Sequence, residues 1–388
     1  MSAEPPELSA PGAPGPLFPA PAPRPAGAFD PPVPAPVLAP PSLHWRTTVL
    51  LISAFATILL GSVLMLLPVP FVVLRPGPAL NTLGREGGHP LISVSGHASY
   101  PASGSLDLTT VTVDGGPDQR LLLFEALHAW FDDTLTVAPE KAIYPPGESL
   151  EKSRANDQKD MTTSQESATV AALLELGIPV PATLTVAATD GVPAGSPLRV
   201  GDVVTAVGGT PVPDLVSLTT RIRRARPGST VAVTVRRGGA ERVLQAPTKA
   251  FQGRTILGIQ LDPAFHPPFQ VTIRIDNIGG PSAGTMFALG IIDLLTPGDL
   301  TGGKDIAGTG TIDADGTVGP IGGIQQKLNG ARRAGATWFL APAEDCPEVV
   351  GHVPAGLHVV RIATLAQAHR YVQQIAAGTT SDLPTCTR

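Results

Sequence analysis

The sequence is short of charge, aromatic side chains and cysteine. Charged residues make up 15% of the 388, aromatics 4%, and there are two cysteines. With 27 Lys and Arg against 32 Asp and Glu, no basic excess exists to neutralise phosphates, which excludes a nucleic-acid partner. Two cysteines cannot build a disulfide scaffold or a zinc ribbon. No His-Glu-x-x-His occurs, so the commonest zinc-protease signature is absent, and no metal-ligating cluster or other cofactor site is expected. The chain is nevertheless 43% hydrophobic, too apolar to be disordered throughout. Its length allows about two or three domains. What it has in quantity is proline and glycine, 43 and 42 residues, and they are unevenly placed.

Residues 1–46 hold 15 of the prolines and only five charges. Proline lacks the N–H that a helix or ladder needs, so this stretch is expected to be a disordered, Pro-rich tail. From Thr47 to Leu74 no charge occurs. About 20 apolar residues cross a bilayer as a helix, and no Ala-x-Ala-like cleavage site follows. Residues 47–74 are therefore expected to be an uncleaved membrane anchor. Arg46 and Arg75 flank the stretch and nearly tie the positive-inside count. Cys346 and Cys386 are open to pairing in an oxidising compartment or to remaining thiols; the first option places the large C-terminal part outside the cytoplasm.

Residues 75–179 read as a mixed α/β region without a chemical motif. Leu106 to Val113 alternates as a strand. Gln119 to Asp133 reads as a helix with Leu122, Leu123, Ala126 and Trp130 on one face. Gly147 to Asp160 is polar and reads as a loop. Thr163 to Leu176 reads as a helix capped by Ser164 and closed by Gly177.

Residues 180–250 change character. A turn-rich stretch, Asp190 to Leu198, leads into Gly201-Asp202-Val203-Val204. Asp214 to Ala225 then has Leu215, Leu218 and Ile222 on one helical face, and two β runs, Thr230 to Val235 and Glu241 to Leu244, meet at a Gly238-Gly239 turn. The Gly-Asp-x-Val step followed by that helix resembles a bacterial PDZ domain. The resemblance implies capture of an extended peptide by strand addition in a groove beside Leu215, Leu218 and Ile222. No Gly-Leu-Gly-Phe-like carboxylate loop is evident upstream.

Glycine is densest from Asp276 to Gly330, with 14 in 55 residues. Phe269 to Ile275 alternates as a strand, Gly279-Gly280-Pro281-Ser282-Ala283-Gly284 follows, and Ser282 to Leu295 is an apolar helical run. Ser282 thus stands where a glycine loop opens a helix, and unpaired N–H groups there can stabilise an oxyanion. Further on, a helix from Ile324 to about Ala334 has Ile324, Leu328 and Ala331 as its apolar stripe. Lys327 shares that face, while Gln325, Gln326, Arg332 and Arg333 are expected to point away. Burial lowers a lysine's pKa, and a neutral amine beside a serine hydroxyl is a general base.

Ser282 in Gly-Pro-Ser-Ala-Gly, Gly308-Thr309-Gly310-Thr311-Ile312, Gly316 to Gly323 and Lys327 together resemble the proteolytic domain of the Lon proteases over roughly residues 255–376. With the apolar segment and the PDZ-like stretch, the layout resembles the membrane-anchored PDZ-containing Lon-like proteases of Gram-positive bacteria. The resemblance implies Ser282 as nucleophile, Lys327 as base and Thr309 as support for the lysine, with Gly280, Pro281 and Ala283 as the oxyanion loop. It also implies protein or peptide substrates and a homo-oligomeric ring. It departs at Gly279, where Lon proteins often carry an acid.

Two other motifs compete. Gly280 to Gly284 also fits the Gly-x-Ser-x-Gly elbow of α/β-hydrolases, with His352, His358 and His369 downstream as partners. Gly298 to Asp305 nearly spells a phosphate-binding loop, but Asp305 stands where Ser or Thr should hold magnesium. The expectation is thus an α/β (α+β) chain with a Lon-type domain over 251–388. Its activity is that of an ATP-independent serine endopeptidase on flexible or unfolded proteins. The alternative is a membrane-anchored PDZ adaptor whose Lon-like domain is inactive.

Overall fold

The computed structural model describes residues 45–147, 149–251, 253–276 and 278–387. Except for Trp45 and Arg46, the expected Pro-rich tail lies outside them. Among the described residues one helix is long and apolar enough to cross a membrane, α1 at Trp45–Met65, 21 residues with exposed side chains. It starts earlier and stops sooner than the expected 47–74 segment. Pro68 and Pro70 cannot extend a helix, and Phe71 to Leu74 belong instead to strand β1, Phe71–Asn81.

The next elements in chain order are β2 (Ile92–Ser95), β3 (Ser105–Asp114), α2 (Leu123–Trp130), β4 (Thr136–Pro139) and α3 (Leu150–Glu175). Then come β5 (Ala182–Ala188), β6 (Val203–Val207), α4 (Leu215–Arg224), β7 (Thr230–Arg237), β8 (Ala240–Pro247) and β9 (Gln260–Phe265). The last part holds β10 (Gln270–Ile273), α5 (Gly284–Leu295), β11 (Asp305–Gly308), β12 (Thr311–Ile312) and β13 (Val318–Gly319). It ends with α6 (Ile324–Arg333), β14 (Trp338–Pro342), β15 (His358–Ile362) and α7 (Leu365–Ala376).

Two main sheets result. One is antiparallel, in the order β8-β7-β6-β5-β9, with Thr210–Pro211 paired to β6. The other is mixed, β15-β14-β11-β3-β1-β4, parallel from β15 to β3 and antiparallel beyond. The second sheet draws β1, β3 and β4 from residues before the first sheet and β11, β14 and β15 from residues after it. The expected 75–179 region is therefore no separate layer. It supplies half of the sheet on which the Ser282 and Lys327 segments pack, and the antiparallel sheet interrupts it.

Packing explains this. The face of the mixed sheet bearing Leu106, Leu108, Ile306 and Leu340 is covered by α3, α5 and α7, with Met161, Ala168, Phe287, Ile291 and Val372 fully buried. Ile324, Leu328 and Ala331 of α6 pack the other face with Phe339 and Ala341. Of the expected loop at Gly147 to Asp160, residues 150–160 are instead the first part of the 26-residue α3, capped by Ser149, whose hydroxyl accepts from Lys152 N–H at 3.2 Å. Its polar residues face water, so no apolar stripe signals the helix. Ser164, expected as a cap, lies mid-helix and 4% exposed. Helix α2 is shorter than expected. Ala126 and Ala129 are its buried residues, while Trp130 is 71% exposed.

In the antiparallel unit the Gly-Asp step is structural. Asp202 is buried and accepts from Arg237 Nε at 2.6 Å and Nη2 at 2.7 Å, and from Arg199 N–H. Burial pushes its pKa up, but these bonds outweigh burial and hold it below the usual value.

Candidate active site

The loop from β10 into α5 carries Ser282. The helix proper opens at Gly284 with Ala283 as its N-cap, so Ser282 precedes the first turn rather than starting it. Three contacts fix the loop. Gly280 N–H donates to Asp157 O at 2.9 Å, the Ser164 hydroxyl donates to Pro281 O at 2.9 Å, and Gly310 N–H donates to Ser282 O at 2.9 Å. Two of these come from α3, and of them Asp157 lies in the stretch whose polar residues gave no sequence signal. Small residues are required here. A Cβ on Gly279 would meet the Asp157 Cβ at 2.6 Å, and one on Gly284 would meet Ile312 Cγ2 at 2.6 Å.

Lys327 arrives from the opposite side. Gly323, with φ +71°, turns the chain into α6, a left-handed conformation that glycine tolerates. Four residues on, Lys327 is 3% exposed. Its Nζ lies 2.8 Å from Ser282 Oγ and donates to Thr309 Oγ1 at 3.0 Å. Thr309, itself fully buried, donates to Ser282 O at 3.0 Å. Serine, lysine and threonine thus form one closed set of contacts, though Ser282 and Lys327 stand 45 residues apart in the chain. Ser282 is half-buried and opens on a cleft of about 730 Å³ lined by Thr109 to Val113, Tyr144, Arg154 and Asp157.

Burial lowers the Lys327 pKa to about 7, against a smaller upward pull from the Asp345 carboxylate. Asp345 is a residue that the sequence reading missed. It is 6% exposed, and both of its oxygens accept from Ile321 N–H, at 3.3 and 3.1 Å. Burial raises its pKa to about 6. Asp345 therefore holds the turn that leads into α6. Its neighbour Cys346 is disulfide-bonded to Cys386, which resolves the pairing that the sequence left open.

The remaining site expectations divide. Of the oxyanion group, Gly280 has its N–H engaged by Asp157 O and Pro281 has none, so Ala283 is the member left with an amide to offer. Gln326, expected to point away, is 2% exposed and donates from Nε2 to Thr136 Oγ1 at 2.8 Å. The histidines of the hydrolase-elbow reading are engaged elsewhere: His369 with Glu175 at 3.0 Å, His352 with Glu348 O at 3.1 Å, and His358 against the Trp338 ring. Among the described residues no group of His, Cys, Asp and Glu is arranged to hold a metal.

In the antiparallel unit, Leu218 and Ile222 of α4 line a cavity of about 310 Å³, whereas Leu215 does not and packs against the core instead. The far wall is Arg254 to Leu261. There Ile256-Leu257-Gly258-Ile259 runs into β9, an edge strand that pairs only with β5 among the described residues. Gly258 has φ +75°, and a Cβ there would fall 1.9 Å from Gly191 O.

Residues 163–248 match the PDZ domain family, and residues 260–373 match the Lon protease (S16) C-terminal proteolytic domain. The chain therefore carries two recognised modules on a mixed α/β fold with one long apolar helix. They are a PDZ domain and a Lon-type proteolytic domain. The structural boundary differs from the matched one, since β9 completes the PDZ sheet. Similar curated proteins include a Lon protease of Bacillus thuringiensis, 37% identical over 102 residues, which are 24% of this chain and 13% of that protein. The Lon protease of Azospirillum brasilense is 31% identical over 141 residues, 35% and 17% of the two chains. The chain thus spans less than a fifth of the length of these relatives. A solved structure of the PDZ domain of an SdrC-like protein from Listeria monocytogenes is 21% identical, covering 20% of this chain and 86% of that one, with a TM-score of 0.18.

Proposed function

We propose that the protein is a membrane-anchored serine endopeptidase that works through a Ser282–Lys327 dyad. The observation that carries this reading is the 2.8 Å approach of a buried lysine amine to a cleft-facing serine hydroxyl. With its pKa near 7, the amine is free of its proton in a large share of molecules at neutral pH. It then accepts the Ser282 proton as Oγ attacks a peptide carbonyl. The amides of Ser282 and Ala283 stabilise the oxyanion, the lysine returns the proton to the leaving amine, and water resolves the acyl-enzyme by the reverse sequence. Thr309 keeps Nζ aimed at Oγ.

The chemistry needs no nucleotide, so cleavage is ATP-independent and falls on flexible or unfolded segments that can enter the cleft without being pulled. The PDZ groove between α4 and the Ile256–Ile259 loop captures an extended peptide by adding it to β9. Helix α1 anchors the chain, and the Cys346–Cys386 disulfide supports an extracytoplasmic position for the catalytic part. Assembly into a ring follows from the Lon likeness alone. The test is cleavage of casein and of short peptides, without ATP, by the full chain and by Ser282→Ala and Lys327→Ala. Activity in the parent and its loss in both variants supports the dyad. An inert parent overturns it in favour of a binding role, and full activity in Lys327→Ala overturns the assignment of the base.

A further inference from the structure

In a chain with few aromatics, helix α2 collects them on its outside. Phe124 is 45% exposed, Leu127 37%, Trp130 71% and Phe131, just past the helix end, 86%. Residues 124, 127 and 131 follow helical spacing, so they form one stripe with Trp130 at its border. The opposite side has its own partners, since Ala126 and Ala129 pack on Val73 and Leu121. The outward stripe is therefore surplus to the core.

Its place in the chain indicates what covers it. Leu123 N–H donates to Leu67 O at 2.9 Å, and Pro68–Val69 pairs antiparallel with Leu121–Leu122. Leu67 comes two residues after the end of α1 at Met65, a reach of at most about 7 Å. Leu66 and Leu67 are themselves 60% and 49% exposed, so the apolar surface continues from the chain leaving α1 onto α2. A bilayer interface is the environment that Trp and Phe side chains favour at such a depth. The side chains that titrate on α2 are Glu125, held by Leu122 N–H at 2.8 Å, and His128, with Asp132 and Asp133 following. Helix α2 itself carries no Lys or Arg to select anionic lipid, so the attraction of its outward face is apolar.

We infer that the outward face of α2 docks on the bilayer surface, with Phe124, Leu127, Trp130 and Phe131 inserted at the headgroup boundary of uncharged lipid. This rests on the reading of α1 as a membrane anchor. The test uses the full chain and its Trp130→Phe variant, which alters only an exposed side chain, in phosphatidylcholine vesicles with and without bromine on the upper acyl chains. The difference in emission between the two proteins isolates Trp130. We expect both proteins to float with the vesicles, and the Trp130 component to be blue-shifted and to lose most of its intensity to bromine. Flotation with an unquenched Trp130 component overturns the docking face while leaving the anchor intact. An unquenched component that shifts blue only as protein density rises assigns the face to a second copy and also overturns it. Failure to float removes the anchor reading, and the docking face with it.

Discussion

The buried amine of Lys327 sets the pH behaviour of the site. The proposed mechanism needs it unprotonated, so kcat/KM on a peptide should rise with pH along an acid limb centred near 7. The Asp345 anion raises that pKa, so Asp345→Asn, whose amide oxygen can still accept from Ile321 N–H, should move the limb to lower pH. Stability carries the same signature. The unfolded chain keeps the lysine proton up to about its ordinary value of 10.5, whereas the folded chain releases it at about 7. Folding therefore disfavours the cation below that range, and stability should grow as pH rises from 7 towards 10. Lys327→Met should melt above the parent at pH 6, with the gap closing by pH 10; a gap independent of pH would refute the burial argument. Thr309→Val removes the hydroxyl between Nζ and Ser282 O, and kcat should fall at least about tenfold, the worth of one buried hydrogen bond, with KM little changed.

Helix α3 supports the serine from behind. Ser164→Ala frees the Pro281 carbonyl and should reduce kcat, as burst or single-turnover kinetics would show, with some loss of melting temperature from the missing hydrogen bond. In the PDZ domain, Gly258→Ala places a methyl against Gly191 O and strains a left-handed backbone; peptide binding to the groove should be lost in a calorimetric titration. How far such elements could be read from sequence follows their burial. Helices α4 and α6 have apolar stripes at helical spacing and polar outer faces, so their limits were legible to within a residue or so. Glycine-rich turns and a lysine inside an apolar stripe singled out Ser282 and Lys327, but patterning alone did not pair them; the resemblance to Lon proteolytic domains did, and the structure sets the two side chains 2.8 Å apart. The first half of α3 was not, because residues 150–160 are almost wholly solvated and a solvated helix resembles a loop in composition. Asp345 was hidden for a different reason. One acidic residue gives no hint that it is buried until the chain brings the turn before α6 beside it.

Across the whole molecule, the Cys346–Cys386 bridge closes a loop with a sequence separation of 40 residues. A closure of that size contributes on the order of 4 kcal/mol by restricting the unfolded chain. Reductant should therefore lower the urea midpoint clearly, and Cys386→Ser should do the same without reductant. The mixed sheet has a further consequence, which concerns biosynthesis. Its central pairing joins β3 to β11, with Ser105 bonded to Asp305 across 200 residues, and the entire PDZ domain is made in between. Strands β1, β3 and β4 leave the ribosome early and must wait as an unfinished edge while the inserted domain folds by itself, which is the slow, high-contact-order route. Ser282 and Lys327 meet only when the last third of the chain has been added. On the proposed mechanism, a nascent chain that stops before Lys327 would hold the early strands of the cleft lining but no Ser282–Lys327 dyad, so proteolysis would wait for that segment.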